Sequence, residues 1–320
     1  MRDNTVCAVV VTYNRKNLLL ECLEAIRRQT RPVDAIYIID NASTDGTPEV
    51  LKENGYIPEL PPFNLSEPYE IEHKISNLVD GNPINVFYVR MYENTGSAGG
   101  FYEGVKRGYE RGYDWLWLMD DDGLPEKDCL MNLYKCTNDL NIVGSLVVAS
   151  DNSSELTWKL RVVDSLGNFI PRTYFSNVEE VKRHAKNGIY YGIPNFFNSI
   201  IIKKDVISIV GFPNKDLFIW GDEVEYAMRL KKAGYKMGVC VDSIFRHPKI
   251  KHKTISDVYI YRLYSDIQFN SFFLRLIYPV YIFIKFSKFL ILRFKFKLTA
   301  KIIRAIISAL FWGKLIPYRK

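Results

Sequence analysis

Cysteine is sparse in this chain and nowhere paired. Cys7, Cys22, Cys129, Cys136 and Cys240 are odd in number, scattered, and never in C-x-x-C spacing, which argues against a zinc knuckle or dithiol redox centre and fits reduced thiols. A secretory leader is also lacking: Met1-Arg2-Asp3-Asn4 runs straight into a short apolar segment with no long hydrophobic core or small-residue cleavage site, so a cytoplasmic location is expected. No Gly-Lys-Ser/Thr closes a phosphate loop, which excludes the P-loop nucleotide enzymes. There is no internal repeat. Carboxylates vanish near the C-terminal end, where no Asp or Glu follows Asp266 while eleven Lys or Arg do.

What remains is a chain of 320 residues, 48% of them hydrophobic. That is enough to bury one large domain or two modest ones, and it excludes a disordered adaptor. The formal net charge of +7 comes entirely from the basic tail, since residues 1–266 alone carry −4. Such asymmetry marks a tail that meets a polyanion or an anionic membrane surface.

Short β-branched runs at 6–12, 35–40, 86–90, 115–120 and 142–148 read as strands, and 16–28, 47–54, 98–111 and 126–138 between them read as helices. This alternation is the sequence form of βαβ units and a mostly parallel sheet. Residues 55–83, proline-bearing and acidic, read as a surface insertion. Beyond 150 the chain reads as turn-rich to about Gly192, followed by a strand at 199–202, a helix from Lys204, a helix at 222–233 and a strand at 237–241.

In open α/β sheets ligands bind outside the carboxyl ends of strands, so polar residues there come first. Thr12-Tyr13-Asn14 follows the first strand, Asp40-Asn41 closes the second, and Asp120-Asp121-Asp122 closes the fourth. Asp40 can accept hydrogen bonds from a base or ribose, or can cap a turn. Three adjacent carboxylates repel one another and call for a cation such as Mg²⁺ or Mn²⁺ on oxygen ligands, unless they lie in a solvated loop. The stretch from Asn94 through Gly96 and Gly99 to Gly100 precedes a helix, so its amides can approach a phosphate; a plain glycine-rich turn is the alternative. In Trp220-Gly221-Asp222-Glu223-Val224-Glu225 the carboxylates suit a first helical turn, and one beside Trp220 in an apolar surround also suits a general base. His247 reads either as an ordinary imidazole or as a metal ligand.

Together, Val10–Asn14, residues 40–47, residues 94–100, Asp120–Asp122 and residues 220–235 resemble the family 2 glycosyltransferases of the GT-A fold, over about residues 5–250. The segment Phe218-Ile219-Trp220-Gly221-Asp222-Glu223-Val224-Glu225-Tyr226 and the triple Asp are most similar to bacterial galactofuranosyltransferases, with rhamnosyltransferases using dTDP-rhamnose as nearest relatives. The resemblance implies an inverting, metal-dependent transfer from UDP-galactofuranose. Thr12, Tyr13, Asn14, Asp40, Asn41, Asn94, Gly96, Gly99, Asp120 and Asp121 would then bind donor, Asp120, Asp122 and His247 the metal, and Trp220 the acceptor. Glu223 falls at the position of the catalytic base, with Asp222 as rival. Residues 1–150 would form the nucleotide-sugar half, 151–255 the acceptor and catalytic half, and 256–320 a helical extension.

That extension is apolar and aromatic, but Arg275, Lys285, Lys288, Arg293, Lys295 and Lys297 interrupt it too often for a spanning helix. It reads as lying against an anionic membrane, its cations snorkelling, where a lipid-linked glycan acceptor would be met at the inner face of the plasma membrane. A packed helical domain or dimer interface is the alternative, and the oligomeric state stays open. Nucleic-acid binding, suggested by the basic aromatic tail, leaves the strand-end carboxylates without a role and is not expected; a silent scaffold of the same fold is the other rival.

Overall fold

Every side chain of the first strand, β1 (Val6–Thr12), is buried, as a continuous apolar run demands of a strand covered on both faces. Val6, Ala8 and Val10 join Leu19, Leu23 and Ile26 of α1 (Lys16–Arg27) in one core; Cys7, Val9 and Val11 join Phe101 and Val105 in another. The computed structural model describes residues 4–164, 169–219 and 221–249. After α1 come β2 (Ala35–Asp40), α2 (Thr47–Glu53), β3 (Tyr69–Ser76), β4 (Pro83–Arg90), α3 (Gly96–Glu110), β5 (Trp115–Asp120), β6 (Leu124–Pro125) and α4 (Cys129–Lys135). The second part holds β7 (Ile142–Ala149), β8 (Glu155–Val163), β9 (Phe169–Asn177), α5 (Val178–Arg183), β10 (Ile189–Tyr190), β11 (Asn198–Lys203), α6 (Lys204–Val210), α7 (Asp222–Lys232) and β12 (Gly238–His247).

The strands form one sheet in the order β10-β12-β7-β11-β5-β1-β2-β4-β3. It is mixed rather than mostly parallel: β5-β1-β2-β4 is a parallel block, and β11 enters antiparallel between β5 and β7. Between β7 and β11 the chain runs through the β8–β9 hairpin, α5 and β10 rather than a single crossover helix, so the βαβ connection that sets the first block parallel does not act there. Along α3, Gly100, Gly104 and Gly108 lie one turn apart over the sheet. A Cβ at these positions would fall 2.5 Å from Val11 Cγ1, 2.3 Å from Val9 Cγ1 and 2.7 Å from Leu116 Cδ2, so only glycine lets the helix lie this close.

Several expectations are corrected. The supposed insertion at 55–83 contains β3, an edge strand antiparallel to β4. The turn-rich stretch after 150 holds the β8–β9 hairpin and α5. The last strand continues past 241 to His247, through an irregularity between Cys240 and Ile244. The helix expected from 126 begins at Cys129. All five cysteines are free and buried. Among the described residues no helix is long and apolar enough to cross a membrane. The tail reading, 256–320, and the Trp220 assignment lie outside the described residues.

Candidate active site

The parallel block ends in step. Thr12 pairs with Asp40 across β1 and β2, and Val11 pairs with Asp120 across β1 and β5, so three carboxyl ends open on one rim.

On the β2 side of the rim the polar groups bind one another. Asp40 is fully buried; its Oδ2 accepts from the Tyr88 hydroxyl at 2.7 Å and from Arg90 Nη1 at 2.6 Å, and its Oδ1 accepts from the Ser43 amide at 2.8 Å. Expected to meet a uridine, Asp40 has no exposed surface with which to do so, and holds the loop after β2 instead. Asn14, at φ +54°, receives the Thr44 amide on its Oδ1 at 2.6 Å and donates its own amide to Ser43 Oγ at 2.9 Å. It staples the loops after β1 and β2 together. Asn41 donates to Gly96 O at 3.0 Å and accepts from Thr95 Oγ1 at 2.9 Å. Tyr13 keeps an exposed ring, 43% accessible.

The glycine-rich stretch is likewise occupied. Gly96 has φ +73°, and a Cβ there would lie 2.0 Å from Phe218 O, so the position is closed to other residues on both counts. Its amide donates to Asn94 Oδ1 at 2.9 Å, and the Ala98 amide donates to Phe218 O at 3.0 Å. The missing Cβ of Gly99 makes room for the Thr95 side chain. This stretch joins the start of α3 to the turn before α7, where Phe218 itself has φ +62°; the close approach expected for a phosphate is taken by protein.

The aspartate triplet differs. Asp121 Oδ2 accepts from Thr12 Oγ1 at 2.5 Å, and a single atom, Arg15 Nη1, bridges Asp121 Oδ1 at 3.1 Å and Asp122 Oδ2 at 2.7 Å. His247, at the end of β12, places Nε2 2.9 Å from Asp122 Oδ1. Its Nδ1 donates to the Pro248 carbonyl at 2.8 Å, which holds the ring from behind and turns Nε2 to the carboxylate. Apart from this ring, Asp122 Oδ1 is buried without a partner. A buried carboxylate oxygen and an imidazole nitrogen fixed side by side are a donor set that suits a divalent cation. Among the described residues no three His, Cys, Asp or Glu converge on one metal-binding point, so the pair is the whole preformed part. Trp158 of β8 covers the imidazole, ring centroids 4.5 Å apart.

Charge is concentrated here. Asp120 keeps a partly exposed edge, yet burial and then the charges of Asp122 and Asp121 push its carboxyl well above the usual range. Burial also raises Asp121, to about 6, against the opposing pull of Arg15. Burial works in the same direction on Asp122, but its contact with His247 and the His247 and Arg15 charges outweigh it and hold this carboxyl low.

Helix α7 brings the second half to the same rim. Asp222 is 1% exposed and accepts from Ser97 Oγ at 3.0 Å; burial and the neighbouring Glu223 charge raise its carboxyl far above the ordinary value. Glu223 is half-buried, with Oε2 accepting from the Gly221 amide at 2.8 Å. Both act electrostatically on or with Asp120, about a hundred residues away in sequence. Glu225 is absorbed by Arg229 at 2.8 Å, whose guanidinium also donates to the carbonyls of Val210 and Phe212. Reading the sequence missed Arg15, Arg90, Ser97 and Trp158. Arg15, directly after Tyr13-Asn14, and Ser97, inside the glycine-rich stretch, carried a local signal.

The family model described as Glycosyl transferase family 2 matches residues 7–57 and 66–201. Galactofuranosyltransferase GlfT1 of Mycolicibacterium smegmatis is 31% identical over 246 residues, covering 76% of this chain and 70% of that protein. GlfT1 of Mycobacterium tuberculosis is 29% identical over 247 residues, with the same coverage. Among solved structures, GalNAc-T7 with UDP, GalNAc and Mn²⁺ is similar at a TM-score of 0.53 and 16% identity, covering 82% of this chain. This chain spans about half that protein's length, 48%. S. aureus TarS 1–349 is similar at a TM-score of 0.50 and 12% identity, covering 96% of this chain and 72% of that one. At such identities the two structures speak for the GT-A-like fold alone.

Proposed function

Because the chain belongs to glycosyl transferase family 2 and is thus a glycosyltransferase, we propose that it moves galactofuranose from UDP-galactofuranose to a hydroxyl of a bacterial surface glycan, with inversion and with Mn²⁺ or Mg²⁺ as cofactor. The sugar rests on the 31% identity to a galactofuranosyltransferase. The cofactor rests on one observation, the buried Oδ1 of Asp122 set 2.9 Å from Nε2 of His247 with no other partner.

In this reading Asp122 and His247 hold the cation, with Asp120 beside them. A bound divalent cation would offset the charge on the departing diphosphate. Glu223 takes the proton of the acceptor hydroxyl as that oxygen attacks the anomeric carbon and the bond to the diphosphate oxygen breaks on the opposite face. We assign the base to Glu223 because it is accessible; Asp222 is buried, bonded to Ser97, and held in its protonated form. Tyr13, with its open ring, is the donor-side residue free to stack on a base, while Thr12, Asn14, Asp40, Asn41, Asn94, Gly96 and Gly99 shape the rim it stands on. Residues 1–150 supply the donor side and 151–255 the acceptor side. The basic segment 256–320 would hold the enzyme at the inner face of the membrane beside a lipid-linked acceptor.

Transfer or donor hydrolysis should be assayed with UDP-galactofuranose, UDP-galactopyranose, UDP-glucose and dTDP-rhamnose, each with Mn²⁺, Mg²⁺ or chelator. Turnover confined to UDP-galactofuranose plus metal is expected. Preference for dTDP-rhamnose would replace the donor, and full activity in chelator would remove the cofactor.

A further inference from the structure

The feature left without a role is Arg15. It stands at the N-terminal cap of α1 with its side chain 46% exposed. It nevertheless reaches in with Nη1 to touch both Asp121 and Asp122, at 3.1 and 2.7 Å. The Asp122 it touches is the carboxylate whose other oxygen, Oδ1, is buried and meets only His247 Nε2. Arginine thus supplies positive charge to the cluster from the solvent side, at one oxygen, while the inner oxygen faces the imidazole.

Two further facts bear on what this contact does. The Arg15 side chain is anchored only through these carboxylates among the hydrogen bonds and ion pairs of the described residues, and a half-exposed arm has room to swing once another cation takes its place. A guanidinium also matches a phosphate as well as it matches a carboxylate, by the same planar pairing of N–H donors with oxygens. We propose that Arg15 is an exchangeable counter-cation: without ligand it occupies the Asp121–Asp122 pair and opposes divalent metal, and a nucleotide diphosphate draws it away, so that metal binds well only when the nucleotide is present. Asp122 then changes one positive partner for another, and the carboxylate pair is never left bare. Arg15 acts as a positioning residue in this scheme, coupling the two ligands. The inference rests on the metal placement proposed above and goes beyond it by assigning the order of assembly.

The test is direct Mn²⁺ binding to the full chain, read from the electron paramagnetic resonance signal of free Mn²⁺, with and without saturating UDP. The proteins are wild type, Arg15→Gln, Arg15→Lys and Asp122→Ala. Without UDP, Arg15→Gln should bind Mn²⁺ about tenfold more tightly than wild type, within the usual range of coupling between two sites. With UDP the two should agree within about twofold, because the competitor has already left. Arg15→Lys, which keeps the charge, should stay near wild type. No gain in Arg15→Gln, including binding too weak to detect in both proteins, overturns the exchange. So does a gain of equal size with and without UDP, which is simple charge repulsion. Failure of the underlying metal placement looks different: Asp122→Ala would then bind Mn²⁺ as wild type does.

Discussion

Asp40 and Asp122 invite comparison, being buried carboxylates at the carboxyl ends of two strands of the same parallel block. Asp40 is saturated, with Tyr88, Arg90 and the Ser43 amide all donating to it. Asp122 has one oxygen on a half-exposed arginine and the other on nothing but the His247 ring. Burial is common to both; satisfaction is what separates them. A carboxylate with every oxygen bonded inside the protein holds a loop, and one left short in the interior is kept at a cost that a ligand can repay.

The sharpest way to break this contrast is to delete each carboxylate. Asp122→Ala should lower metal-dependent turnover by roughly a thousandfold, the equivalent of several kcal/mol of lost charge stabilisation, with a smaller loss of stability than Asp40→Ala because the half-exposed Arg15 can turn to solvent. Asp40→Ala should instead destabilise the fold by about 3–5 kcal/mol, because Arg90 keeps its charge and loses its buried partner. Urea unfolding of both variants, beside steady-state rates, decides the matter. An Asp40→Ala protein as stable as wild type, or an unfolded Asp122→Ala, would reverse the assignment.

How much of this the sequence disclosed follows the same division. Strands β1, β2 and β5 were legible because their apolar runs end abruptly in polar residues, and the carboxylates at those ends were legible as a set. Their satisfaction was not, because Arg90 and Tyr88 reach Asp40 from a strand some fifty residues on, and His247 reaches Asp122 from 125 residues on. Ion pairs of that span leave no local pattern. The β3 edge strand escaped notice although Tyr69, Ile71 and Ile75 alternate with Glu70, Glu72 and Lys74, because it lies in a proline-bearing, acidic stretch and Ile71 is its one buried side chain. Likewise β8 buries only Leu156 and Leu160, and with it Trp158, the cover of His247, went unseen. The end of β12 was lost where its pairing with β7 shifts register before Ile244.

The contrast recurs within α7, and there it is sharpened by a charge-neutral change. Glu223→Gln should lower turnover by roughly a hundredfold, the usual contribution of a general base, with donor binding retained. Asp222→Asn should stay within about threefold of wild type, since burial and the Glu223 charge already keep that carboxyl protonated and an amide can still accept from Ser97. Rates that fall together in Asp222→Asn and hold in Glu223→Gln would exchange the two roles.

The smallest effect tests the triplet itself. Burial raises the folded-state Asp121 carboxyl from 3.8 to about 6, so the fold favours its protonated form. The sign follows: this contribution to stability is fully present below the unfolded value and is lost as pH rises through the folded one. Asp121→Asn carries no such titration. The Asp121 charge also helps raise Asp120, so its removal lessens that carboxyl's contribution as well and acts in the same direction. From about pH 4 to about pH 7.5, without metal, the wild type should therefore lose on the order of 2 kcal/mol more unfolding free energy than the variant. Parallel pH profiles for the two proteins would mean that Arg15 neutralises Asp121 as fully as Arg90 neutralises Asp40, and the distinction between a saturated carboxylate and a waiting one would then rest on Asp122 alone.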